Sequence, residues 1–197
     1  MNTTADSLHP LVQQAMAASQ SGDSVRALEL LHQASSAQPD SGIPHFLMGS
    51  EYASLSQFEQ AELAFSNAVL LSPNMPVARY QLGLLQYSSG RAPAALVTWQ
   101  PLLALGDASP LPHWVKGFAA LAQDQFDTAK ACFEEGVRLN TDNPPMSSDI
   151  NKIIAEIEAV QRANAENTGA VAQASSDEGD NSSHFLVSNY GRQGPIH

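Results

Sequence analysis

Apolar and small residues fall at helical spacing through the middle of the chain. Phe46, Gly49 and Ala53 recur at intervals of three and four, as do Ala61, Phe65, Ala68 and Val69, which predicts two amphipathic helices. Leu55-Ser56-Gln57-Phe58 separates them as a short turn, and Ser88-Ser89-Gly90 marks the same turn further on. Pro39, Pro73 and the Asp40-Ser41-Gly42 cluster end second helices. Shifting the chain against itself by 34 residues aligns Ala27, Ala61, Ala95 and Ala129 in one column and Leu31, Phe65, Trp99 and Phe133 in another. Ala34, Ala68, Leu102 and Gly136 form a third column, and Ala15, Gly49, Gly83 and Gly117 a fourth. Small residues in facing columns let two helices approach closely, and large residues one turn away fill the space between neighbouring pairs. A single helical hairpin cannot bury its apolar faces, so the hairpins are expected to stack. The pattern predicts an all-α solenoid of four hairpins, at about 8–41, 42–75, 76–109 and 110–143.

The order Gly49, Tyr52, Ala61, Phe65, Ala68, Pro73 resembles the tetratricopeptide-repeat family, and the resemblance covers roughly residues 8–141. It implies a right-handed solenoid. Three positions depart from the family pattern. Ala18 stands where a large residue is usual, Lys116 occupies a column that is usually apolar, and Pro101 lies inside a second helix, where it should kink or shorten that helix. Beyond the repeats, Ile150, Ile153, Ile154, Ile157 and Val160 predict a terminal capping helix over about 149–163, with Ser148 or Asp149 as its N-cap. The repeat domain thus spans 1–163. Residues 164–183 lack large apolar side chains and read as a disordered linker. Phe185, Leu186, Val187 and Tyr190 then form an apolar cluster within 184–197.

The chain has 197 residues and a formal net charge of -11, from 9 Lys plus Arg against 20 Asp plus Glu. Such a surplus repels phosphate backbones and anionic lipid, so neither nucleic acid nor membrane is expected as a partner. No secretory signal and no membrane-spanning run is read from the sequence, and the two glycosylation-type triplets, at Asn2 and Asn181, are taken as chance. A cytoplasmic protein is expected. Cys132 is the single cysteine and is read as a small buried hydrophobe. The sequence holds no Gly-rich phosphate loop, HExxH, GxSxG or CxxC. Its histidines are scattered, and His45 and His113 share a column two hairpins apart, too distant to ligate one ion. No catalytic residue, no metal and no cofactor is expected.

What remains is a binding surface. In the family it resembles, the first helices of the hairpins line a concave groove that holds a peptide or partner helix. By register the groove positions are Val12, Met16, Phe46, Ser50, Tyr80, Leu84, Tyr87, Trp114, Phe118 and Leu121. Chaperone-binding members of the family place Lys and Asn there to clamp a terminal carboxylate, and that clamp is absent. The groove reads instead as apolar and aromatic, suited to apolar anchors of a protein or peptide partner. The competing reading makes any one of these side chains core. The resemblance implies a non-enzymatic adaptor or scaffold. The alternatives are a chaperone for a secreted or assembly-prone client, as in small acidic repeat proteins of bacterial secretion systems, and a regulatory subunit of an enzyme complex. The terminal cluster Phe185, Leu186, Val187 and Tyr190 is either a partner peptide or a self-ligand for the groove, and docking in trans would give a homodimer.

Overall fold

A computed structural model describes residues 9–171, with side chains through 165. Among the described residues there is no strand. Helices pair as α1 (Pro10–Gln20) with α2 (Ser24–Ala37), α3 (Ile43–Ser54) with α4 (Phe58–Leu71), and α7 (Pro110–Leu121) with α8 (Phe126–Leu139). The third hairpin joins α5 (Pro76–Ser88) to α6 (Ala92–Trp99), which passes into a 3-10 helix over Gln100–Leu105. Pro101 accounts for the change. It cannot donate to the α-helical ladder, and the chain tightens where that bond is missing. α9 (Pro144–Val171) follows.

Each of the four hairpins turns the same way. The residue at the tip has positive φ in every one: Gly22 (80°), Ser56 (59°), Gly90 (76°) and Asp124 (56°), spaced by the 34-residue period. The next residue's N–H bonds back across the helix end, from Asp23 to Ala18 O, Gln57 to Tyr52 O, Arg91 to Gln86 O and Gln125 to Ala120 O, at 2.8–3.0 Å. This is the Schellman closure of a helix C-terminus, which needs a left-handed residue at that place.

The chain divides into two compact bodies, with the boundary between Leu85 and Gln86 inside α5. In the N-terminal body, one cluster joins Ala15, Leu30, Leu31, Met48 and Ala64. A second joins Ala53, Ala61 and Phe65 to Leu82 and Leu85 of α5. In the C-terminal body the rings of Tyr87, Trp99 and Phe118 stack in succession and Phe133 meets Phe118 edge to face, with successive centroids 4.9–5.9 Å apart. All four alanines of the column 27, 61, 95 and 129 are 0% exposed. Cys132 is half-buried rather than buried.

The terminal helix departs from its expected limits. It begins at Pro144, not near 149, because Asn143 Oδ1 accepts the Met146 N–H at 3.3 Å and two prolines occupy the first turn, where a missing N–H breaks no helical bond. Ile150, Ile153 and Ile157 are buried, while Ile154 and Val160 are half-buried. Lys130 of α8 pairs with Glu158 of α9, and Gln161 Nε2 donates to Asp127 Oδ1 at 2.8 Å. Helix continues to Val171, so the first part of the expected linker is helical. The apolar cluster at Phe185–Tyr190 and the remainder of the linker lie outside the described residues.

Candidate binding site

The first helices α1 and α3 both pack on α2. Both start on proline-bearing turns, and the His9 side chain accepts the Leu11 N–H ahead of α1. Their small column is what brings them close to the second helices. A Cβ at Gly49 would lie 2.6 Å from the ring of Phe65. Between α1 and α3 an open pocket of about 180 Å³ is lined by Ala15, Met16, Ser19, Gln20, Leu31, Leu47, Ser50 and Glu51. Ala15 and Leu31 are buried, Leu47 is half-buried and Met16 is 37% exposed. Ser19, Gln20 and Ser50 are exposed. The pocket therefore joins apolar walls to a polar margin.

Glu51 is 8% exposed and is the one buried charged side chain among the described residues. Ser19 Oγ donates to its Oε2 at 2.7 Å. On the neighbouring position of α3, the Tyr52 hydroxyl meets His32 Nε2 at 3.3 Å. His45, also on α3, is held below the ordinary imidazole range, first by burial and then by the nearby His32.

The sequence-predicted groove positions separate into two sets. Met16 and Ser50 are exposed and line the pocket, while Phe46 and Leu84 are half-buried. Val12, Tyr80, Tyr87, Trp114, Phe118 and Leu121 are buried, which for these six favours the competing reading as core. Their work is packing. Trp114, 0% exposed, fills the space that Gly136 leaves, since a Cβ on Gly136 would come within 2.3 Å of the indole. Tyr87 and Phe118 belong to the ring chain of the C-terminal body, and the Tyr87 hydroxyl donates to the Phe118 carbonyl at 3.5 Å. Burial, followed by the charge of Asp124, pushes the Tyr87 phenol up to about 12. At Trp114, then, a first-helix position one turn from the small column completes the core because the facing second helix supplies a glycine.

Glu51 was not among the predicted residues, although the repeat register holds a signal for it. Its column reads Ala17, Glu51, Leu85, Ala119, a carboxylate among apolar side chains. Among the described residues, no three His, Cys, Asp or Glu side chains gather as metal ligands would, and no helix is long and apolar enough to cross a membrane.

The tetratricopeptide repeat family model matches residues 46–110. Among solved structures the chain is similar to MamA 41-end from Desulfovibrio magneticus RS-1, at 16% identity and TM-score 0.56, over 86% of this chain and 100% of that one. It is similar to PilW, described as a widely conserved type IV pilus biogenesis factor, at 19% identity and TM-score 0.58, over 74% of this chain and 66% of that one. Pseudomonas aeruginosa PilF matches at 17% identity and TM-score 0.59, over 85% of this chain and 76% of that one. At these identities the likeness is one of fold. No curated protein sequence matches the chain.

Proposed function

From a chain built of tetratricopeptide repeats, we propose a non-enzymatic interaction module that holds a segment of a partner protein along its first helices. The observation that carries this reading is the open pocket between α1 and α3, where Met16 and Ser50 meet at an apolar wall. Partner anchors seek clefts with apolar walls and a few polar groups. The adaptor reading needs only the exposed and half-buried set, Met16, Phe46, Ser50 and Leu84, all in the N-terminal body. Within that body, α1 and α3 are packed together through Ala15, Leu30, Leu31, Met48 and Ala64.

A photo-crosslinking side chain at Ser50 tests the proposal, with one at Leu63 as control. Leu63 is 66% exposed on the second helix α4. In cells, discrete crosslinked products are expected from position 50 and not from position 63. Equal patterns from both positions would refute binding along the first helices.

A further inference from the structure

We propose that the pocket between α1 and α3 receives a lysine side chain of the partner segment, with its ammonium on Glu51 and its alkyl stem against Leu31, Leu47 and Met16. This rests on the reading that a partner lies along the first helices, and adds the chemistry by which it is recognised.

Glu51 is more than nine-tenths buried as a residue, lines the pocket, and has no ion pair with any described cation, while its Oε1 stays open to solvent. Burying a carboxylate without a counter-charge is unfavourable, because the low-dielectric surroundings replace its water shell poorly. One hydroxyl, from Ser19, serves Oε2. A carboxylate accepts about four hydrogen bonds, so most of its capacity is unused. A fold that keeps a buried carboxylate on the wall of an open pocket has left a place for a cation.

The rest of the pocket says which cation. Ala15, Leu31, Leu47 and Met16 give apolar contact on the way to the carboxylate, and exposed Ser50 and Gln20 stand with them at the pocket. A ligand with a hydrocarbon stem and a charged head satisfies both parts, which is how basic side chains bury themselves. A bare inorganic cation would leave the apolar walls unused. Arginine grips both carboxylate oxygens with its planar fork, and here it would have to share Oε2 with the Ser19 hydroxyl. The compact ammonium of lysine needs only one oxygen. The net charge of -11 adds a long-range field that draws a basic segment towards the protein.

The test uses n-butylammonium, the lysine side chain without its backbone, titrated into the full chain and followed by backbone amide NMR. 1-Butanol and n-butylguanidinium serve as comparison probes. Saturable shifts clustered on Met16, Ser19, Leu47, Ser50 and Glu51 are expected with the ammonium, about tenfold tighter than with the alcohol, as a charge-assisted hydrogen bond implies. Glu51→Gln should abolish the difference between ammonium and alcohol. Met16→Lys, on the exposed rim, should supply the cation internally and exclude the ammonium, which keeps the test decisive even if Glu51→Gln folds poorly. Shifts spread over exposed acidic residues, equal affinity for the alcohol, or tighter binding of the guanidinium would each overturn the proposal. Crosslinks from position 50 that persist unchanged in Glu51→Gln would remove the lysine and leave the docking surface. Loss of crosslinks from position 50 in the parent protein would remove the docking surface itself.

Discussion

Gly49→Ala adds one methyl group at the tightest helix crossing of the best-matched hairpin. The added Cβ would lie 2.6 Å from both Cδ1 and Cε1 of Phe65. Carbon atoms pack best at about 3.5–4.0 Å, so the ring must retreat by roughly 1 Å. It has little room to do so. Phe65 is 2% exposed, its ring is tilted against Phe46 at 5.8 Å, and Ala53, Ala61, Leu82 and Leu85 share its cluster. Overpacking of this kind costs about 1–3 kcal/mol, and contact with two ring atoms places the variant in the upper part of that range. Alanine returns about 1 kcal/mol as the better helix former. The net loss should be about 1–2 kcal/mol, or a fall in melting temperature of roughly 2–8 °C for a chain of this size.

Urea unfolding followed by circular dichroism measures it, with the slope unchanged and the midpoint lowered. Phe65→Leu removes ring atoms from the clash, so the double variant should be less destabilised than the sum of the single ones, with a coupling of about 0.5–3 kcal/mol. Gly117→Ala repeats the experiment in the other body, where the Cβ would lie 2.6 Å from Phe133. A Gly49→Ala protein more stable than the parent by the full helix-propensity gain would show that the crossing is loose. The assignment of the small column to close helix approach would then be wrong.

Ser56 sits at φ 59° where the first and third hairpins use glycine, so Ser56→Gly should stabilise by about 0.5–1 kcal/mol. Asp124→Gly should gain less, because aspartate tolerates the left-handed region better, and thermal melts of the two variants check the order. His45 titrates below its ordinary value of 6.5, so the fold favours its neutral form. That contribution is fully present above pH 6.5 and is lost as pH falls from there towards the depressed folded value. Denaturant midpoints between pH 7.5 and 5.5 should therefore decline less in His45→Gln than in the parent, and parallel curves would contradict the assignment.

The period carried the fold because the period is the packing rule. Ala27, Ala61, Ala95 and Ala129 are all fully buried, and the same alignment that found them placed the turns at Gly22, Ser56, Gly90 and Asp124. Pro101 was legible too, as a local chemical event: an absent N–H converts the end of α6 to 3-10 geometry. The start of α9 was not, because Ser148 and Asp149 read as its N-cap whereas Pro144 and Pro145 open the helix a turn earlier. The groove residues were harder to place. Hydrophobicity at Tyr80 or Trp114 does not distinguish a side chain offered to a partner from one that plugs its own hairpin. At Trp114 the facing residue decides, since Gly136 leaves the space that the indole fills. Alanine at Tyr80 and Trp114 would therefore report on stability before it reported on binding.

In a repeat protein the positions that recur are those the neighbouring hairpins require, so a residue that obeys its column is explained by packing. A site specific to one partner has to break a column. Two of the predicted positions, Met16 and Ser50, share a column with Leu84 and Phe118, yet its side chains range from buried to exposed along the chain. Glu51 breaks its own column more sharply, setting a charge where Ala17, Leu85 and Ala119 stand. Packing gives no reason for that exchange, because a buried carboxylate weakens a helix interface that alanine or leucine would strengthen. The irregular positions converge on one pocket between α1 and α3, and that convergence is the reason to place the proposed binding site there and not at the aromatic core of the C-terminal body.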